Sequence, residues 1–140
     1  MPSPFYPRRP GCALRVLPAA LAALSLGLPQ AVLAADVTIN TNVTGSVYGN
    51  SASNDPTLRS GDPTGKSLEV VSSGIVTEIA YGGYNNGSGS VTNNSATVSG
   101  GSVGWHVVGG YSGSGSATNN HATVSGGSVA GNVAGGYSTS

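Results

Sequence analysis

The sequence is short of the residues that usually staple a small domain or carry its chemistry. Its 140 residues include one cysteine, one methionine, one tryptophan and one phenylalanine, and only 7% of them are charged. The single Cys12 has no partner in the chain, which excludes an internal disulfide framework. Proline is unevenly spread: six of the eight fall in the first 35 residues, leaving only Pro56 and Pro63 beyond them. Charge is scarce in the same way. Beyond residue 35 the basic residues are Arg59 and Lys66 and the acidic ones Asp36, Asp55, Asp62, Glu69 and Glu78, a balance of −3. Such a surface has no counterion release to offer DNA or RNA, so no nucleic-acid partner is expected.

What is present divides at about residue 35. Arg8, Arg9 and Arg15 precede an apolar run, "VLPAALAALSLGL" (Val16 to Leu28), and "PQAVLA" (Pro29 to Ala34) follows with small residues at its end. This is the order of a signal peptide, predicted over residues 1–34, with cleavage after Ala34 and Ala35 as the neighbouring choice. Pro18, Pro29 and Gln30 interrupt the run and argue against an uncleaved membrane anchor.

Residues 35–140 are a repeat. "NNSATVSGGSVGWHVVGGY" (Asn93 to Tyr111) and "NNHATVSGGSVAGNVAGGY" (Asn119 to Tyr137) agree at 14 of 19 positions, 26 residues apart. "GGY" also closes at Tyr84, one residue further away because "NNGSGS" (Asn85 to Ser90) is longer than "SGSGS" (Ser112 to Ser116). Weaker copies lie at Val70–Tyr84 and Thr38–Asn50. Aligned at constant spacing, the apolar positions are Ile39, Val43 and Val47, then Val71, Val76 and Ala80, then Val98, Val103 and Val107, then Val124, Val129 and Val133. Residues 51–67, with both remaining prolines and both remaining basic residues, interrupt the series as a loop excursion.

Gly, Asn, Ser, Thr and Val are weak helix formers and no 3.6-residue stripe appears, whereas short segments such as "ATVS" alternate in the manner of strands. Strands this short need neighbours, and stacking one copy on the next supplies them. The predicted fold is therefore all-β: a parallel β-helix, or β-solenoid, of about four coils with a period of about 26 residues. In that register Val98 and Val124 stack with their side chains inward, so that Val124→Asp would bury an unpaired charge.

With its signal peptide, its "NNSATVSGGSV" and "NNHATVSGGSV" copies and its "GGY" closures, the chain resembles the passenger regions of bacterial autotransporters and related surface adhesins. The resemblance implies a β-helical stalk, export to the cell surface, outer membrane or extracellular space, and an outer-membrane translocator that is not in this chain. It implies a host surface or glycan as partner, and uncapped coils imply self-association through open coil ends.

Chemistry is sparse in this text. Glu69 and Glu78 are nine residues apart, and Asp55 and Asp62 share the excursion with Arg59 and Lys66; a paired-carboxylate site would need two of them within several ångströms. His106 and His121 replace different residues in the paired copy, and neither copy holds Asp, Glu or Cys, so no metal and no cofactor are expected. Trp105 and Tyr81, Tyr84, Tyr111 and Tyr137 are expected to edge the coil corners, where rings could also stack on sugars. The expected function is a non-catalytic exported surface segment, stalk or adhesin-like; the alternatives are a polysaccharide-processing β-helix enzyme and a secreted fibre-forming protein.

Overall fold

In the computed structural model, residues 35–52 and 55–139 are described. The segment 1–34 predicted as a signal peptide, with the predicted cleavage position at Ala34, lies outside them, and Ala35 is the first described residue.

Three parallel four-stranded sheets run the length of the coil. The first stacks β1 (Val37–Ile39), β6 (Ser67–Val70), β10 (Ser95–Val98) and β14 (His121–Val124). The second stacks β2 (Asn42–Val43), β7 (Ile75–Val76), β11 (Ser102–Val103) and β15 (Ser128–Val129). The third stacks β3 (Val47–Tyr48), β8 (Ala80–Asn85), β12 (Val107–Ser112) and β16 (Val133–Ser138). A short fourth side is made by β9 (Val91–Thr92) and β13 (Ala117–Thr118). Each pass through the three sheets is one rung, and four rungs form a β-solenoid, as the repeat predicts.

Strand parity explains the interior. In β10, Ser95 and Thr97 point out while Ala96 and Val98 are fully buried, and β6 repeats the pattern with Leu68 and Val70 inside. The second and third sheets each contribute one apolar residue per rung at the core, including Val76, Val103, Ala80 and Val107. Between rungs the same residue types meet in register: Val98 pairs with Val70 and Val124, and Val103 with Val76 and Val129.

Two expectations need correction. The inner residue of the second rung is Val70, not Val71, because the turn after β6 has four residues (Val71–Gly74) where the turn after β10 has three (Ser99–Gly101). Constant spacing counted back from "GGY" therefore slips by one across that turn. Val124 does stack on Val98, but it is 43% exposed where Val98 is 0%, since no described rung lies beyond it.

Gly101 and Gly127 show why the shorter turn is written "SGG". Both have positive φ, 66° and 74°, and a Cβ on Gly101 would lie 2.1 Å from the Gly74 carbonyl oxygen.

Between β3 and β6 the chain leaves the coil. It forms an antiparallel hairpin of β4 (Ser51–Ala52) and β5 (Asp55–Arg59), closed by Ser60 N–H donating to the Asn50 carbonyl at 2.7 Å. β5 runs beside the β3–β4 segment, on the edge that β8 leaves free. It carries Pro56, which cannot donate to a further strand. Asp55 accepts from both the amide and the hydroxyl of Thr57, and these bonds hold its carboxyl below the usual carboxylate range.

Candidate functional site

The third sheet carries five tyrosines on its outer face, Tyr48, Tyr81, Tyr84, Tyr111 and Tyr137. Val47, Ala80 and Val107 point inward, so the residues after them, Tyr48, Tyr81 and Val108, point outward in one column. The glycine pair of "GGY" then breaks the alternation and sets Tyr84, Tyr111 and Tyr137 in a second column, in register across three rungs. Tyr84 and Tyr111 stack at 4.6 Å between centroids and Tyr111 and Tyr137 at 5.7 Å, nearly parallel in both cases. Tyr48 stacks on Tyr81 at 5.4 Å, and Tyr81 meets Tyr84 edge-on at 4.9 Å. The rings therefore lie along a sheet face and not at the coil corners.

Arg59 joins this face from the excursion. Its guanidinium sits 4.7 Å from the Tyr84 ring centre and 5.5 Å from that of Tyr48, a cation–π arrangement that ties the hairpin to the ladder. Burial raises the phenol of Tyr81 well above its ordinary range, and neighbouring tyrosines push the same way. Tyr84 is raised too, again chiefly by burial, with Arg59 opposing. Because the rings cover one another's faces, the ladder offers mainly edges and hydroxyls to solvent; Tyr137, at the last rung, is 53% exposed. Tyr48 and Arg59 escape the repeat alignment. Tyr48 follows Val47 as Tyr81 follows Ala80, which was the available signal, whereas nothing in the excursion marks Arg59.

Behind the ladder, inside the coil, Asn94 and Asn120 form a second column. Asn120 Oδ1 accepts from both the amide and the carboxamide of Asn94, at 3.0 and 2.9 Å, and Asn94 Oδ1 accepts from Lys66 N–H at 2.8 Å. Asn120 Nδ2 donates to the Val91 carbonyl, so these buried amides are bonded along the axis. Their predecessors Asn93 and Asn119 take positive φ, 59° and 56°, a conformation asparagine tolerates well among non-glycine residues. The recurring "NN" is thus a left-handed corner followed by an interior plug.

Glu69 and Glu78 lie on different segments with different partners. Glu69 lies on β6 and accepts from Ser99 Oγ at 2.6 Å, while Glu78 lies in the turn between β7 and β8 and accepts from Ser46 Oγ at 3.0 Å. Asp62 and Lys66 line a cleft of about 500 Å³ between the excursion and β1, with Asp36, Ser51 and Ser60, whereas Asp55 turns its carboxylate onto Thr57. Asp36 is occupied by Ser67, whose amide and hydroxyl both donate to its Oδ2. His106 accepts from Asn132 N–H at Nδ1, and His121 lies on β14, opposite Ser95. Among the described residues no three His, Cys, Asp or Glu side chains gather as a metal site.

No family model, curated protein or solved structure matches the chain.

Proposed function

We propose that the chain is a non-catalytic segment of an exported surface protein, a stalk or adhesin-like part similar to an autotransporter passenger. The observation that supports this reading is the rung-on-rung register. Thr97 meets Thr123, Tyr111 meets Tyr137 and Asn94 meets Asn120, so each rung presents its neighbour's groups again. A catalytic centre needs unlike groups converging on one point. A register of this kind lays like groups out in rows, which suits a rod that displays a surface.

The test is fractionation of cells producing the full chain, with N-terminal sequencing and protease treatment of intact cells. The expected result is a mature N-terminus at Ala35 or Asp36 and cleavage of the mature chain from outside. An intact chain starting at Met1 in the cytoplasm or inner membrane would overturn the reading.

A second reading is association through the last rung, favoured by the exposure of Val124, Val133 and Tyr137 there. Sedimentation across a range of concentrations would show concentration-dependent association; a concentration-independent monomer would dismiss it.

A further inference from the structure

The turn between the second and third sheets has three residues in every rung: Thr44–Ser46, Thr77–Ile79, Gly104–His106 and Ala130–Asn132. Constant length places Gly45, Glu78, Trp105 and Gly131 in one column and Ser46, Ile79, His106 and Asn132 in the next. Backbone bonds fix the column. Trp105 N–H donates to the Glu78 carbonyl at 2.9 Å, and Gly131 N–H donates to the Trp105 carbonyl at 2.6 Å. An indole and an imidazole thus share one corner of the third rung, with Glu78 in the same column one rung before, and the fourth rung falls back to Ala130 and Gly131.

That retreat leaves a hollow of about 260 Å³ beside the indole, lined by Gly104, Trp105, His106, Ala130 and Gly131. Trp105 is 60% exposed, an unusual position for the largest side chain in the sequence. Gly131 cannot carry a side chain without movement, because its Cβ would lie 2.5 Å from His106 Nδ1 and 2.5 Å from the Trp105 carbonyl oxygen. The polar groups on the flanks are partly committed. His106 Nδ1 accepts from Asn132 N–H at 2.8 Å, which leaves Nε2 as the ring's outward polar atom. Glu78 lies outside the hollow, its Oε2 accepting from Ser46 Oγ of the first rung.

We infer that this corner binds a neutral sugar ring, a pyranose with equatorial substituents presented on an oligosaccharide. Such a ring has a flat face of C–H groups, which suits the open indole, and a rim of hydroxyls, which suits the imidazole beside it. An entirely apolar partner would leave His106 without complement. An anionic sugar would meet a chain that beyond residue 35 carries a balance of −3. The hollow is smaller than the usual ligand pocket, matched to one ring and to weak, millimolar binding. The inference deepens the adhesin-like reading and rests on it for its setting, but the binding belongs to the folded coil itself.

Trp105 is the only tryptophan in the sequence, so intrinsic fluorescence reads this corner alone. The full chain is titrated with cellotetraose and with chitotetraose, which are neutral and equatorial. Sorbitol, which has hydroxyls but no ring face, and tetragalacturonate, which is anionic, serve as controls. A saturable change with at least one of the first two and none with the controls is expected. Trp105→Ala, an exposed substitution that leaves the circular dichroism and melt unchanged, abolishes binding as seen by ligand-observed NMR. The inference is overturned by silence towards both tetrasaccharides, by an equal response to sorbitol, by tighter binding of tetragalacturonate, or by binding that survives Trp105→Ala. A failed export experiment would leave this titration untouched, and a failed titration would leave the fractionation result standing.

Discussion

Gly83 and Asn94 share one space: a Cβ on Gly83 would lie 2.5 Å from Asn94 Cγ, and the next rung repeats the relation between Gly110 and Asn120 at 2.4 Å. The "GGY" and "NN" motifs are two halves of a single contact across the coil interior. Gly83 is not among the residues with positive φ, so its smallness serves packing and not backbone conformation.

Gly83→Ala is therefore expected to destabilise by about 1–3 kcal/mol through overpacking. Asn94→Ala should cost about 1–3 kcal/mol by stranding the Lys66 amide and removing one of the two bonds to Asn120 Oδ1. In the double variant the side chain that blocks the new methyl is gone, so the combined loss should fall short of the sum. Denaturant unfolding of the four proteins measures this, and strict additivity would show that the two residues do not share a space.

Val98 and Val124 occupy one column with opposite exposure, 0% and 43%. Val98→Asp should bury an unpaired charge and cost several kcal/mol, melting the rungs around it. Val124→Asp can turn its carboxylate to water and should cost about 1 kcal/mol or less. Circular dichroism and limited proteolysis distinguish the two; equal damage from both would mean that the last rung is covered.

The period, the strand parity and the apolar columns were legible in the sequence because "TVSGGSV" and "GGY" recur with little change. Val70 was not, since one extra residue in "VSSG" moves the frame without altering the kind of residue at the boundary. Asn94 and Asn120 were visible as repeated letters, but their role depends on the glycines opposite, and a one-dimensional text does not show which residues face each other. Arg59 was illegible for the same reason. It lies outside the repeat and meets Tyr84 only because β5 folds back along β3. The Trp105 corner lay between these cases, its indole conspicuous as a singleton while the hollow beside Gly131 emerged only once the rungs were stacked.

Duplicating residues 113–138 after Ser138 should add a rung and cover Val124 and Val133, which are 43% and 47% exposed. Each gains about 1 kcal/mol of burial. The midpoint should rise by about 4–8 °C for each kcal/mol gained, as read by thermal melting. An unchanged midpoint would indicate that the rungs do not cooperate.

Tyr81 supplies the pH dependence. Burial raises its phenol above the ordinary value of 10.0, so its contribution is fully present below about pH 10. It is lost as the pH climbs from there through the folded value, because the unfolded chain ionises first. Melting temperature should fall above about pH 10, and Tyr81→Phe should flatten that fall, with Tyr84 supplying part of the remainder. Melts in alkaline buffers check this, and an identical slope in the variant would locate the sensitivity elsewhere.

The ladder bonds between rungs run along the solenoid axis, from Asn94 to Asn120 and from Gly131 N–H to the Trp105 carbonyl alike. Pulled from its two ends, the chain therefore bears load through these bonds in tension, one rung interface at a time, and not in shear across all of them together. The weakest interface gives way first. Each release pays out one coil of slack while the rungs behind it keep their shape. Under drag this chain is expected to lengthen in steps, one coil at a time.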